Sequence, residues 1–159
     1  MEKKYDHQLC EETAQQQWQE QKTYAMVNNP GPLYSIDTPP PTVSGTLHIG
    51  HIFSYTQTDI IARYKRMNGH SVFYPFGFDD NGLPTERYVE KKRDVRGHEM
   101  SRSDFIALCI QESHAAAETF KKLWQKMGLS ADWSTTYSTI SDDVRKISQE
   151  SFIELFNQD

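Results

Sequence analysis

The 159-residue sequence predicts an α/β fold built around one strand–helix–strand unit of parallel sheet. Residues 33–37 show the pattern of a short strand, residues 49–67 carry apolar side chains at helical spacing, and residues 70–76 form an apolar run suited to a buried strand. Two strands joined through a helix in one sheet are nearly always parallel and connected right-handed. We therefore expect one βαβ unit, with further helices before and after it.

The segments around this unit follow from local signals. Residues 6–26 are typical of a largely solvated helix, whose Trp18 we expect to dock on the rest of the chain. Residues 28–32 (NNPGP) end that helix, because glycine and proline break regular structure. Thr38–Pro41 must be extended or turning, since each proline fixes its own φ and biases its predecessor away from helix. Asn68-Gly69 is typical of a cap at the end of the next helix.

The second half of the sequence is mainly helical in pattern. Residues 77–84 (GFDDNGLP) predict a loop at the C-terminal end of the second strand. Ser101 or Ser103 is suited to cap a second long helix, and residues 142–156 have apolar side chains at helical spacing. We therefore expect two further helices after the βαβ unit.

Composition excludes several classes of protein. The chain has 17 Lys and Arg against 22 Asp and Glu, and this acidic balance is unlike that of a domain that mainly clamps nucleic-acid backbone. No apolar run is long enough for a membrane span and no signal peptide is visible, so we expect no membrane partner. Cys10 and Cys109 are far apart without a CxxC pattern, which favours a reducing, cytoplasmic location.

The core also looks thin for an independent domain. Leu, Ile, Val and Phe together account for about a fifth of the residues, which is near the lower edge for a globular core. The 8 Phe, 8 Tyr and 3 Trp favour a folded chain, since each ring buries a large area. The sequence therefore predicts either a folded chain with a small core or one piece of a larger protein.

The chemically informative stretch is residues 41–51, PTVSGTLHIGH, where a loop after the first strand enters the helix. A helix N-terminus offers unpaired N–H groups and partial positive charge, which favour an anion such as phosphate. Gly45 and Gly50 would let a ligand approach the backbone. His48 and His51 are three residues apart and can share one face, where they could donate hydrogen bonds to oxygens that gain charge in a transition state.

Other interpretations of these histidines remain open. Two histidines at this spacing are also common as ordinary surface or capping residues. A metal site would need a third ligand, for which Asp79 or Asp80 could serve, so a metal-dependent hydrolase is an alternative. The pattern GxxxxGK[ST] is missing from the sequence, so it does not support a Walker-type nucleotide site.

Taken together, TPPPTVSGTLHIGH and FYPFGFDDNGLPTERYVEK resemble the class I aminoacyl-tRNA synthetases, most closely the valyl branch. The HIGH sequence at 48–51 matches the class signature, and the three prolines at 39–41 with Gly-Thr-Leu before His48 are similar to the valyl branch. MGLSADWSTTYSTIS at 127–141 also resembles this family, just ahead of its editing insertion. The resemblance covers nearly the whole chain.

The resemblance implies a Rossmann-like parallel sheet, of which this chain would hold the first half. It implies ATP-dependent activation of valine, with ATP and Mg²⁺ as a substrate complex and no tightly bound cofactor or metal site. The aminoacyl adenylate would then acylate tRNA(Val), contacted through parts of the protein outside this chain. The residues that it implies for ATP binding are Gly45, Thr46, His48, Gly50 and His51.

Within that set, His48 and His51 would be catalytic, because they would stabilise the α-phosphate as it becomes five-coordinate. Pro41 and Thr42 would line the amino acid pocket, and Asp79 would pair with the α-ammonium group of valine. The last role also agrees with simple electrostatics, since a carboxylate and an ammonium form a strong charge-assisted hydrogen bond.

The same resemblance suggests three segments. Residues 1–31 would be an N-terminal helical appendage, residues 32–92 the first half of the catalytic domain, and residues 93–159 a helical continuation toward a missing editing insertion. Glu99–Ser103 (EMSRS) superficially resembles the second catalytic signature, KMSKS, but its glutamate would repel a triphosphate.

The resemblance thus implies a chain without the KMSKS loop and without the second half of the sheet. We therefore expect the isolated chain to be inactive or very weak, and either marginally stable or self-associating. The competing function is a non-catalytic nucleotide-binding or interaction module derived from a synthetase.

Overall fold

A computed structural model describes residues 5–26, 30–45 and 47–158 of the chain. The helices are α1 (His7–Glu20), α2 (Ile49–Met67), α3 (Leu83–Arg93), α4 (Arg102–Lys126) and α5 (Asp142–Phe156), with short 3-10 helices at Gly97–Glu99 and Trp133–Thr135. The strands are β1 (Leu33–Ser35), β2 (Ser71–Phe73), β3 (Gly77–Phe78) and β4 (Tyr137–Ser138). No helix in these ranges combines the length and the apolar character that crossing a membrane requires.

The predicted βαβ unit is confirmed. Strand β1 leads through α2 to β2, and the two strands pair in parallel with Leu33 opposite Ser71 and Ser35 opposite Phe73. Helix α2 ends at Met67 with Asn68 as its C-cap, and the next residue, Gly69, has a φ of 78°, a left-handed conformation that glycine adopts without strain. The capping signal in the sequence therefore marked the end of this helix correctly.

Helix α2 does not bury the apolar stripe that predicted it. Its buried residues are Tyr55, Asp59 and Ala62. The ring of Tyr55 packs against that of Trp124, with ring centroids 4.7 Å apart. The large apolar residues left exposed on α2 include Ile49, Phe53, Ile60, Tyr64 and Met67. The spacing thus predicted the helix but not the face that packs.

The chain divides into two compact units that are discontinuous in sequence. Unit 1 consists of Met1–Asp37, Leu47–Pro75 and Phe120–Thr135. Unit 2 consists of Thr38–Thr46, Phe76–Thr119 and Thr136–Asp159. The division into 1–31, 32–92 and 93–159, which follows the sequence, stays a prediction.

A polar network in unit 1 ties α2 to the segment after α4. The Asp59 carboxylate accepts hydrogen bonds from the Ser130 N–H group at 2.7 Å and from Arg63 Nε at 2.7 Å. Arg66 donates to the Ser130 carbonyl at 2.8 Å. Because Ser130 is fully buried, these bonds satisfy polar groups that would otherwise be costly to remove from water.

The N-terminal helix is shorter than predicted. Asp6 caps α1 by accepting a hydrogen bond from the Leu9 N–H group at 3.1 Å. Trp18 docks as expected: its ring lies 5.4 Å from that of Tyr24, and the guanidinium of Arg63 lies over it at 5.6 Å.

In unit 2, β3 and β4 pair in parallel, with Gly77 opposite Tyr137. A Cβ on Gly77 would lie 2.2 Å from the Tyr137 ring, so a side chain at this position would require the tyrosine ring to shift. The same unit contains a buried carboxylate, Glu112, paired with Lys92 at 2.7 Å and with Arg93. These two pairs lower the pKa of Glu112, the Lys92 contact most strongly.

Candidate functional site

His48 forms the N-terminal cap of α2. Its backbone is extended, and its Nδ1 accepts a hydrogen bond from the Gly50 N–H group at 3.2 Å. A Cβ on Gly50 would stand 3.0 Å from two atoms of the His48 ring. Glycine at position 50 therefore gives the capping imidazole room to lie close over the first turn.

His51 completes a reciprocal capping box. Its Nδ1 accepts from the His48 N–H group at 3.4 Å, and the two ring centroids are 4.1 Å apart. A neutral imidazole that accepts at Nδ1 carries its proton on Nε2, so this bonding assigns the Nε2–H tautomer to both rings. Partial burial, and secondarily the neighbouring His48, lower the pKa of His51, which favours the neutral ring.

The surroundings of the two rings favour an anion. His48 and Gly50 are exposed, and the first turn of this 19-residue helix contains no acidic residue. The partial positive charge of the helix N-terminus and the two Nε2–H donors therefore act at the same end of α2. Such an end can bind phosphate oxygens through neutral donors.

The three residues predicted to bind the amino acid come together in unit 2. The Asp79 N–H group donates to the Pro41 carbonyl at 2.9 Å, and Thr42 forms a parallel bridge with Asp79. The Val43 N–H group donates to the Asp79 carbonyl at 3.2 Å, and the Val43 side chain is buried. Both the N–H and the carbonyl group of Asp79 are therefore paired with residues of the 41–43 segment.

The Asp79 carboxylate is half-buried and bound through one of its oxygens. Oδ1 accepts from the Asn81 N–H group at 3.3 Å and from the Thr139 hydroxyl, also at 3.3 Å. Within the described residues, Oδ2 accepts no hydrogen bond, so it is available to a cationic group. The sequence did not point to Thr139, because 60 positions separate it from Asp79 and no local spacing connects the two residues.

The structure gives less support for two of the predicted ATP-binding residues, Gly45 and Thr46. Gly45 is exposed, and no described heavy atom lies within 4 Å of the place where its Cβ would stand. No contact within the described part of the chain therefore requires glycine at this position. Thr46 lies outside the described residues.

A metal centre and an apolar cavity are two other kinds of site that a chain of this size can hold. Across residues 5–26, 30–45 and 47–158, no group of three or more His, Cys, Asp or Glu residues is placed to hold a metal ion. A cavity of about 370 Å³ opens in unit 1, with Trp18, Tyr24 and Trp133 among its lining residues. None of the predicted site residues lines this cavity.

Comparison with known proteins identifies the class. A family model for class I tRNA synthetases (I, L, M and V) matches residues 13–159, so the chain belongs to this family. The valine–tRNA ligase of Anaplasma marginale (strain St. Maries) is 47% identical over 159 residues, covering 100% of this chain and 19% of that relative. That of Ehrlichia canis (strain Jake) is 55% identical over 141 residues, covering 89% of the chain and 18% of the relative.

A solved structure shows the same fold. The leucyl enzyme (LeuRS) of Agrobacterium radiobacter K84, crystallised in a ternary complex with tRNA and LeuAMS, matches with a TM-score of 0.80 and 26% identity. The match covers 98% of this chain and 18% of that one. The predicted family and the α/β fold class are therefore confirmed, and the chain spans about a fifth of the length of the curated relatives it matches.

Proposed function

We propose that this chain supplies the ATP-phosphate and amino-acid-ammonium groups of a valine-activating site in a valine–tRNA ligase. The observation that carries the proposal is the capping box of His48 and His51, which leaves two Nε2–H donors at the exposed start of α2. Valine is the proposed substrate because relatives that are about half identical over the chain are valine–tRNA ligases.

In the proposed reaction, the carboxylate of valine attacks the α-phosphorus of ATP and pyrophosphate leaves with Mg²⁺. His48 and His51 donate through Nε2–H to phosphate oxygens that gain negative charge as the phosphorus becomes five-coordinate. The Nδ1 atom of each ring accepts a hydrogen bond from a backbone N–H group, so both rings are already oriented before ATP binds. Gly50 lets the nucleotide approach the first turn of the helix, and we propose that Gly45 and Thr46 also contribute to ATP binding.

Asp79 has the second role. Its Oδ2 would accept a hydrogen bond from the α-ammonium group of valine, while Pro41 and Thr42, bound to it through the backbone, would line the pocket. The adenylate would then acylate tRNA(Val) through parts of the enzyme outside this chain.

The proposal also includes a location and a segment division. We place the enzyme in the cytoplasm, and we propose that the chain consists of three segments, 1–31, 32–92 and 93–159.

The substitution His48→Asn tests the role of the imidazole donors. Asparagine is a good N-cap residue, so the cap of α2 is retained while the Nε2–H donor is lost. In the complete gene product that contains this chain, we expect valine-dependent ATP–pyrophosphate exchange to fall by about 10²–10³-fold, as when one oxyanion donor is removed.

The matched control is His98→Asn, since the His98 side chain is 78% exposed. Exchange in this variant should stay within about twofold of the unsubstituted protein. Equal rates for His48→Asn and His98→Asn would contradict the proposal. ATP binding without any valine-dependent exchange would instead favour the non-catalytic nucleotide-binding module.

A further inference from the structure

We infer that Thr139 is a positioning residue, whose hydroxyl fixes Asp79 so that one carboxylate oxygen is presented to the ammonium group of the amino acid. This inference rests on the proposed function, because it assumes that Asp79 binds that group. It assigns a role to a residue of the loop after β4 that lies 60 positions from Asp79 in the sequence.

The geometry restricts which way the Thr139 hydroxyl points. Its oxygen accepts a hydrogen bond from the Asp80 N–H group at 3.0 Å, and it lies 3.3 Å from Asp79 Oδ1. Because a hydroxyl has a single proton, accepting from Asp80 leaves that proton to donate to Asp79. Together with the Asn81 N–H group, Thr139 therefore holds Oδ1 and leaves Oδ2 for a ligand.

The Thr139 backbone is itself anchored. Its N–H group donates to the Phe78 carbonyl at 3.1 Å, continuing the pairing of β3 with β4. On the preceding residue, the Ser138 hydroxyl donates to the buried Asp80 carboxylate and accepts from the Ile140 N–H group at 3.2 Å. Because this backbone is already fixed, the Thr139 hydroxyl can orient Asp79 with little further loss of conformational entropy.

The substitution Thr139→Val keeps the shape and the backbone bonds of the residue but removes its hydroxyl. In the complete gene product, we expect the KM for valine in pyrophosphate exchange to rise by about tenfold to hundredfold, as when a hydrogen bond to a charged group is lost. The KM for ATP should change less than twofold. Thr139→Ser keeps the hydroxyl and should restore the KM for valine to within about twofold of the original.

The control is Thr119→Val, because within the described part of the chain the exposed Thr119 hydroxyl bonds only to a carbonyl of its own helix, at 3.0 Å. If Thr139→Val does not fold, Thr139→Ala takes its place, and melting temperatures verify that each compared variant is folded. Equal effects on the KM for valine and for ATP, or a Thr139→Ser variant as impaired as Thr139→Val, would overturn the inference.

A third variant, Asp79→Asn, separates this inference from the function on which it rests. It should raise the KM for valine at least as much as Thr139→Val does, because it removes the charge itself. If Asp79→Asn raises that KM and Thr139→Val leaves it unchanged, only the positioning role is wrong. If Asp79→Asn has no effect on it, both the inference and the proposed ammonium site are wrong.

Discussion

The substitution Asp59→Ala should destabilise unit 1 by about 3 kcal/mol, a sizeable part of the 5–15 kcal/mol of a typical domain. The fully buried Ser130 N–H group loses its acceptor at 2.7 Å, which costs about 1–3 kcal/mol. The ion pair with Arg63 adds about 1 kcal/mol or less, because the Arg63 side chain is 37% exposed and water screens its charge.

Urea unfolding followed by circular dichroism measures this effect. At a slope of about 1–3 kcal/mol per M of urea, the midpoint should fall by about 1–3 M. Asp59→Asn should lie between the original and Asp59→Ala, because an amide oxygen can still accept from Ser130. Gln57→Ala, at an exposed position of α2, is the matched control and should change stability by no more than about 0.5 kcal/mol. An Asp59→Ala variant as stable as Gln57→Ala would show that the network does not hold α2.

Two further predictions concern unit 2. Gly77→Ala should destabilise the β3–β4 pair and lower the melting temperature, because its Cβ would stand 2.2 Å from the Tyr137 ring. A variant with the same melting temperature as the original protein would contradict this close approach. Glu112 should make the chain sensitive to acid: its pKa is lowered on folding by Lys92 and then Arg93, so the stability it contributes is present above its ordinary pKa of 4.5 and is lost as the pH falls further. Urea midpoints at pH 3–7 should therefore fall more steeply below pH 4.5 in the original than in Glu112→Gln, and parallel pH profiles would show that the pair contributes nothing.

Local sequence signals predicted the parts of the fold that depend on nearby residues. The end of α2 follows from Asn68-Gly69, and the parallel pairing of β1 with β2 follows from the crossover rule. The sequence did not predict which face of α2 is buried, because that face contacts Trp124 and Ser130, which lie far along the chain. Helical spacing identifies a stripe of apolar residues but carries no information about which partner will cover it.

The candidate site shows the same limit. The HIGH sequence identified His48 and His51 by residue type and spacing, but their reciprocal capping and its consequence for the tautomer required coordinates. Asp79 was identified by a motif, whereas the hydroxyl of Thr139 beside it was not. Contacts made across 60 residues depend on strand pairing that no short pattern encodes.

Amino acid dependence of ATP–pyrophosphate exchange is the decisive measurement for the proposed function. With the complete gene product that contains this chain, exchange should require valine, and leucine or isoleucine should be activated at least about tenfold less efficiently, the lower bound for one methylene. Exchange that proceeds equally well with all three amino acids, or that does not depend on any of them, would contradict the assignment of this chain to valine activation.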